Sequence, residues 1–307
     1  ILIFLFMFFI IPITANADTI YNIDDLENGI LENLNKAEID LLKLEVSPFH
    51  TIYYRILCDH ANRTIEFENM KKYFEKHETL ISILLIIIYI LTNSFCMQNF
   101  GETDYRSLIV NSILLLVVIL FIVKNKLGEY YGLTKIPKFK EFLYFIPLLI
   151  LMSVNLWGGV QIKNTPTEII FYILFMICVG FLEEIIFRGF LFKMMAKDSI
   201  KSAIIVSSIT FGIGHIINLL NGADLVPTLM QICYAISIGY LFVTIFHKSK
   251  SLIPCIVTHA LVNSLSIFNV ENGISLYVSS IFLIVVPLFY AVYINKTIKV
   301  LEVKYGR

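Results

Sequence analysis

The chain has 307 residues, of which 57% are hydrophobic and 16% charged, with a mean hydropathy of +0.78 and a formal net charge of +0. Soluble domains carry about 25% charged residues, so this composition argues against a soluble globular chain and indicates a polytopic, all-α membrane bundle of about eight transmembrane helices. No basic stripe with interleaved aromatics marks a nucleic-acid site.

Residues 1–17, "ILIFLFMFFIIPITANA", read as a signal-peptide-like or truncated apolar segment, with Ala15-Asn16-Ala17 in the pattern of a cleavage site. Residues 18–78 hold 13 acidic and 7 basic side chains. Leu26, Ile30, Leu31 and Leu34 recur there at helical spacing, as do Ile39, Leu42 and Val46, so the segment reads as acidic amphipathic helices of unknown role. Met70 opens a stretch that looks like an ordinary start of a membrane protein. Residues 79–298 form the membrane core, and residues 299–307 a cytoplasmic tail.

Within the core, apolar stretches at 79–98, 107–123, 140–157, 167–191, 202–219, 227–246, 252–268 and 275–295 each approach the ~20 residues needed to cross about 30 Å of hydrocarbon. Without water to satisfy the backbone, they must be helices. The fourth has a clear start, since Thr165-Pro166-Thr167-Glu168 combines a capping box with proline at the first helical position. Pro147 and Pro287 are expected to kink the third and eighth. Lysines concentrate in alternate loops: Lys124, Lys126, Lys135, Lys138 and Lys140; Lys193, Lys197 and Lys201; Lys248 and Lys250; then Lys296, Lys299 and Lys304. The other loops carry only Arg106 and Lys163. The positive-inside rule makes the lysine-rich set cytoplasmic, in a multi-pass protein of the cell membrane.

The five cysteines, Cys58, Cys96, Cys178, Cys233 and Cys255, show no paired spacing and read as small buried hydrophobes. Gly180, Gly189, Gly212 and Gly214 are expected to permit close helix packing. His50, His60, His77 and His247 read as solvated.

The anomaly is a set of polar side chains inside the spans: Glu183, Glu184 and Arg188 on the fourth, His215 on the fifth, and His259 and Asn263 on the seventh. Ionisable groups at such depth are costly and usually functional. Glu184 and Arg188 stand at i,i+4 in the favourable order for an ion pair, and Glu183 is turned about 100° away. His259 and Asn263 share a helix face, and Phe211, one turn before His215, can wall the same pocket. Counting helix rise from the cytoplasmic ends puts Glu183 roughly 15 Å deep, His215 roughly 21 Å, and His259 and Asn263 roughly 12 and 18 Å. All are expected to converge on one site open toward the cytoplasmic half. A carboxylate in low-dielectric surroundings is suited to take a proton from water, a histidine can orient that water, and an imidazole N–H with a side-chain amide can hold an oxyanion.

At these residues the chain resembles a known family. "EEIIFR", "FGIGH" and "HALVN" match, in order and spacing, the EExxxR, FxxxH and HxxxN motifs of the CPBP family (CAAX prenyl endopeptidases and bacteriocin-processing or abortive-infection proteins). The resemblance covers about residues 79–295, with its motifs within 165–265. It implies an eight-helix intramembrane glutamate endopeptidase in which Glu183 is the general base assisted by His215, His259 and Asn263 form the oxyanion site, and Glu184 and Arg188 shape it. The partners expected are a peptide or membrane-protein substrate and the lipid bilayer. No cofactor is expected: HExxH is absent and no two ligands stand one turn apart on one helix, although two histidines and a glutamate leave zinc open. The alternatives are a non-catalytic bacteriocin-immunity or scaffold protein, a zinc metalloprotease, and a proton-coupled transporter.

Overall fold

The computed structural model describes residues 76–134, 146–270 and 273–297. The chain divides into two compact units, Ile1–His77 and Glu78–Arg307. The first lies outside the described residues except for Lys76 and His77, so the readings of residues 1–17, of the amphipathic segment 18–75 and of the tail 299–307 fall outside them too.

The second unit is a helical membrane bundle. Among the described residues its eight helices are α1 (Lys76–Asn99), α2 (Tyr105–Lys124), α3 (Ile146–Ser153, extended by a 3-10 turn to Leu156), α4 (Pro166–Met195), α5 (Ile200–Gly214, with a further turn Ile217–Leu220), α6 (Leu225–Ser249), α7 (Ile253–Leu265, extended to Phe268) and α8 (Gly273–Thr297). They coincide with the eight apolar stretches. Six are long and apolar enough to cross a membrane. Of α3, only Ile146–Leu156 is described, and the expected kink at Pro147 lies at the edge of those residues. α7 is short for a physical reason: Pro254 fixes its first turn and a 3-10 turn at Ser266–Phe268 ends it. Pro287 sits inside α8, which continues through it.

α4 is the central helix. Of its most apolar window 61% is buried, against 22% for α8, which faces outward. Its start is as the sequence predicts: Thr165 Oγ1 accepts from the Glu168 amide, Glu168 Oε2 accepts from the Thr165 amide at 2.8 Å, and Pro166 occupies the first turn. α2 and α7 pack on α4, α3 packs on α7, and α6 packs on α5 and α8. Gly180 lets α4 and α7 touch, because a Cβ there would stand 2.9 Å from the Ala260 amide nitrogen. Gly212 does the same for α5 against α6. Gly214 does not: open space surrounds its Cβ position. Cys96, Cys178 and Cys255 are buried, as expected of small hydrophobes, whereas Cys233 is exposed.

α1 presents a buried stripe, Glu78, Ser82, Leu85, Tyr89, Thr92 and Cys96, at helical spacing. It is pinned at both ends. Glu78 pairs with Lys197 beyond the end of α4, and Ser94 and Gln98 donate to Asn221 Oδ1 at 2.7 and 3.0 Å. Asp104 caps α2 by accepting from the Arg106 amide, and the hydrogen bonds from Arg106 hold its carboxyl down at about 2. His247 departs from the reading as a solvated loop residue: it lies in the last turn of α6, half-buried, with its ring edge-on to Phe192.

Candidate active site

The polar residues of α4 lie where that helix changes its winding. An α-helical run, Pro166–Glu184, passes into a π-helical segment, Ile185–Leu191, whose seven residues are all buried. Such wide turns cost hydrogen-bond quality and often mark functional sites. Neighbouring helices support this one: Ser207 of α5, itself buried, donates to the Phe187 carbonyl at 2.8 Å.

Glu184 and Arg188, both fully buried, form the expected ion pair, with Arg188 Nη1 3.2 Å from Glu184 Oε1. The same Glu184 oxygen also meets His259 Nδ1 at 2.8 Å, so α4 and α7 are joined by a hydrogen bond as well as by packing. The other ring nitrogen of His259, Nε2, stands 3.3 Å from Glu183 Oε2. One imidazole therefore lies between two carboxylates that are adjacent in sequence and diverge by about 100° around the helix. Glu183 Oε1 accepts a 2.6 Å hydrogen bond from the hydroxyl of Tyr89 on α1, while Oε2 has no hydrogen-bond partner.

Phe211 organises the rings. The Arg188 guanidinium lies 4.0 Å over its centroid, a cation–π contact that offsets part of the cost of burying that charge. His259, His215 and Phe187 each meet Phe211 edge to face, at 5.7, 5.4 and 5.3 Å. His215 itself is half-buried in the turn that closes α5 at Gly214, rather than mid-helix as its motif reads in sequence. It lies within electrostatic reach of Glu183, His259 and Arg188. Gly239 of α6 lines the far side of the arginine, where a Cβ would stand 3.2 Å from Nη2. Nε and Nη2 of Arg188 have no hydrogen-bond partner.

The structure thus brings Glu183, Glu184, Arg188, Phe211, His215 and His259 into one cluster. Asn263 is the exception. It is half-buried one turn beyond His259, its backbone carbonyl accepts from Ser266 Oγ, and no hydrogen bond joins its side-chain amide to the cluster. Tyr89 and Gly239 were missed by sequence reasoning. Tyr89 carries a usable signal, as the one tyrosine in the apolar run 79–98. Among the described residues, no group of three or more histidine, cysteine, aspartate or glutamate side chains converges in metal-binding geometry. As arranged, the cluster offers a carboxylate with one free oxygen beside an imidazole nitrogen, the pairing needed to activate water and to meet the negative charge that its attack creates.

Residues 165–265 match the family model of the type II CAAX prenyl endopeptidases, Rce1-like. The chain carries an Rce1-like domain of the CPBP family. The matched residues, about a third of the chain, run from the capping box of α4 to the end of α7 and contain the three motifs. Neither curated proteins nor solved structures gave a match. The Rce1-like family is one of CAAX-type membrane proteases, which puts protease activity on this segment in general terms. Tyr89 and the rest of α1 lie outside the matched residues.

Proposed function

We propose that the Rce1-like domain hydrolyses peptide bonds within the membrane by glutamate-activated water. The observation that carries this reading is the division of labour on Glu183: Oε1 is held by Tyr89, and Oε2, free of hydrogen bonds, lies 3.3 Å from His259 Nε2. Oε2 takes a proton from a water that His215 orients. The resulting hydroxide attacks the scissile carbonyl carbon, and the carbonyl oxygen becomes the oxyanion. His259 Nε2–H and the Asn263 amide, one turn apart on α7, donate to it. The carbon–nitrogen bond then breaks, and the proton held on Glu183 passes to the leaving amine. Glu184 supports this by accepting from His259 Nδ1, which fixes the imidazole so that Nε2 faces the reaction. With His259 protonated on both nitrogens, the charges of Glu183, Glu184, Arg188 and His259 balance, a condition that favours burial.

No metal takes part in this scheme, and the substrate is a peptide or membrane protein reached from the cytoplasmic half of the bilayer. The rival with support is a non-catalytic immunity or scaffold role, because Glu184, Arg188 and His259 are also what a purely structural ion network needs. N-terminal proteomics of membranes carrying the wild type or Glu183→Gln separates the two. New N-termini present with the wild type and absent with the variant support hydrolysis. Identical proteomes turn the choice to the scaffold.

A further inference from the structure

Tyr89 is a buried phenol in a stretch where phenylalanine or leucine would pack as well. It is 4% exposed, on the inward stripe of α1, and its hydroxyl lies 2.6 Å from Glu183 Oε1. That length belongs to a charge-assisted O–H···O⁻ bond. The direction of the proton is set from behind: Asn93 Nδ2, one turn further along α1, is 3.4 Å from the phenolic oxygen and donates to it, so the phenol's own hydrogen points at Glu183. A buried hydroxyl without a partner is costly, so a tyrosine here is accounted for by this bond. The placement is also held at a distance. The Glu78–Lys197 pair and the contacts of Ser94 and Gln98 with Asn221 fix the register of α1 on either side of Tyr89.

We infer that Tyr89 is a positioning residue for the proposed general base, which makes α1, outside the Rce1-like match, a functional part of the site. The inference rests on the reading of Glu183 given above. A carboxylate has two equivalent oxygens and a free torsion, so an unanchored Glu183 would present either oxygen in several directions. Anchoring Oε1 leaves Oε2 as the one oxygen able to take the proton and keeps it beside His259 Nε2. Positioning of this kind acts on the chemical step and leaves substrate binding largely unaffected.

The experiment uses the full chain in membranes and, as probe, a synthetic peptide spanning a cleavage that appears with the wild type and not with Glu183→Gln. Tyr89→Phe keeps the ring and removes the hydroxyl. The expected result is a kcat about 10- to 100-fold lower, KM within roughly two-fold of the wild type, and restoration of kcat when 3-fluorotyrosine, which retains the O–H, is incorporated at position 89. Wild-type kcat in Tyr89→Phe overturns the inference. So does a lower melting temperature with unchanged kcat per folded molecule, which is what a purely structural tyrosine would give. The failure of the underlying reading looks different: no Glu183-dependent cleavage is found at all, and both proposals fall together.

Discussion

At the scale of single residues, the two adjacent glutamates share His259 but differ in their second partner, Tyr89 for Glu183 and Arg188 for Glu184, and should respond differently to the same chemical change. Glu183→Gln keeps the volume and removes the proton acceptor, so cleavage should fall by about 10²–10⁴-fold while the protein still inserts and folds. Glu184→Gln leaves Arg188 buried without its counter-charge and loosens the hold on His259 Nδ1. It should cost stability, up to about 3–5 kcal/mol for breaking a buried pair, and leave measurable but reduced turnover. Thermal melts in detergent beside cleavage assays distinguish the two; the opposite pattern would exchange the roles of base and support. A metal-independent mechanism makes a second prediction. Activity should survive strong chelation, and purified protein should hold no stoichiometric metal at the site. Zinc whose removal abolishes cleavage and whose return restores it would replace water activation by Glu183 with metal-assisted hydrolysis. The glutamate–arginine pair was legible in sequence because both partners sit on one helix, where spacing alone sets the distance. The Glu184–His259 and Tyr89–Glu183 contacts were not, since they join residues 75 and 94 positions apart and depend on how separate helices dock.

At the scale of the elements, helix starts and packing faces followed from sequence where a local rule governs them. The capping box at Thr165 is decided within four residues, and α4 begins where it says. Apolar stretches of near membrane-spanning length located the eight helices seen among the described residues. Apolarity could not foresee the π-helical stretch Ile185–Leu191, because no residue of "IIFRGFL", Arg188 and Gly189 included, dictates a wider winding; the stretch is supported from other helices, as by Ser207 on the Phe187 carbonyl. Nor could it separate Gly180, pressed against Ala260, from Gly214, which faces open space. That difference is testable. Gly180→Ala puts a methyl carbon 2.9 Å from the Ala260 nitrogen and must push α7 from α4, at a cost of the order of 1–3 kcal/mol. The displacement carries His259 away from both glutamates, so turnover should fall along with the melting temperature. Gly214→Ala should leave packing intact, and a melting temperature as low as that of Gly180→Ala would refute this account of the α4–α7 contact.

At the scale of the whole molecule, the remaining question is which face of the membrane the site opens toward. The charge pattern gives an answer that single helices cannot. The loop after α4 carries Lys197, the first turn of α5 carries Lys201 and the end of α6 carries Lys248, whereas the loop before α4 carries Lys163. Translocating clustered lysines is disfavoured, so the first group should stay in the cytoplasm and Lys163 should lie outside. Glu183 is 10 residues from Lys193 and 17 from Pro166 along the same helix, which puts it nearer the lysine-bearing end, at about 1.5 Å per residue. A substrate approaching from the cytoplasmic leaflet then has the shorter path to the carboxylate. The decisive measurement is single-cysteine labelling on a background in which Cys58, Cys96, Cys178, Cys233 and Cys255 are replaced by serine or alanine. Lys163→Cys should react with a membrane-impermeant maleimide in intact cells, and Lys201→Cys only after the membrane is opened. Labelling of Lys201→Cys in intact cells would invert the bundle, place the site in the outer half of the bilayer, and require any substrate to come from that side.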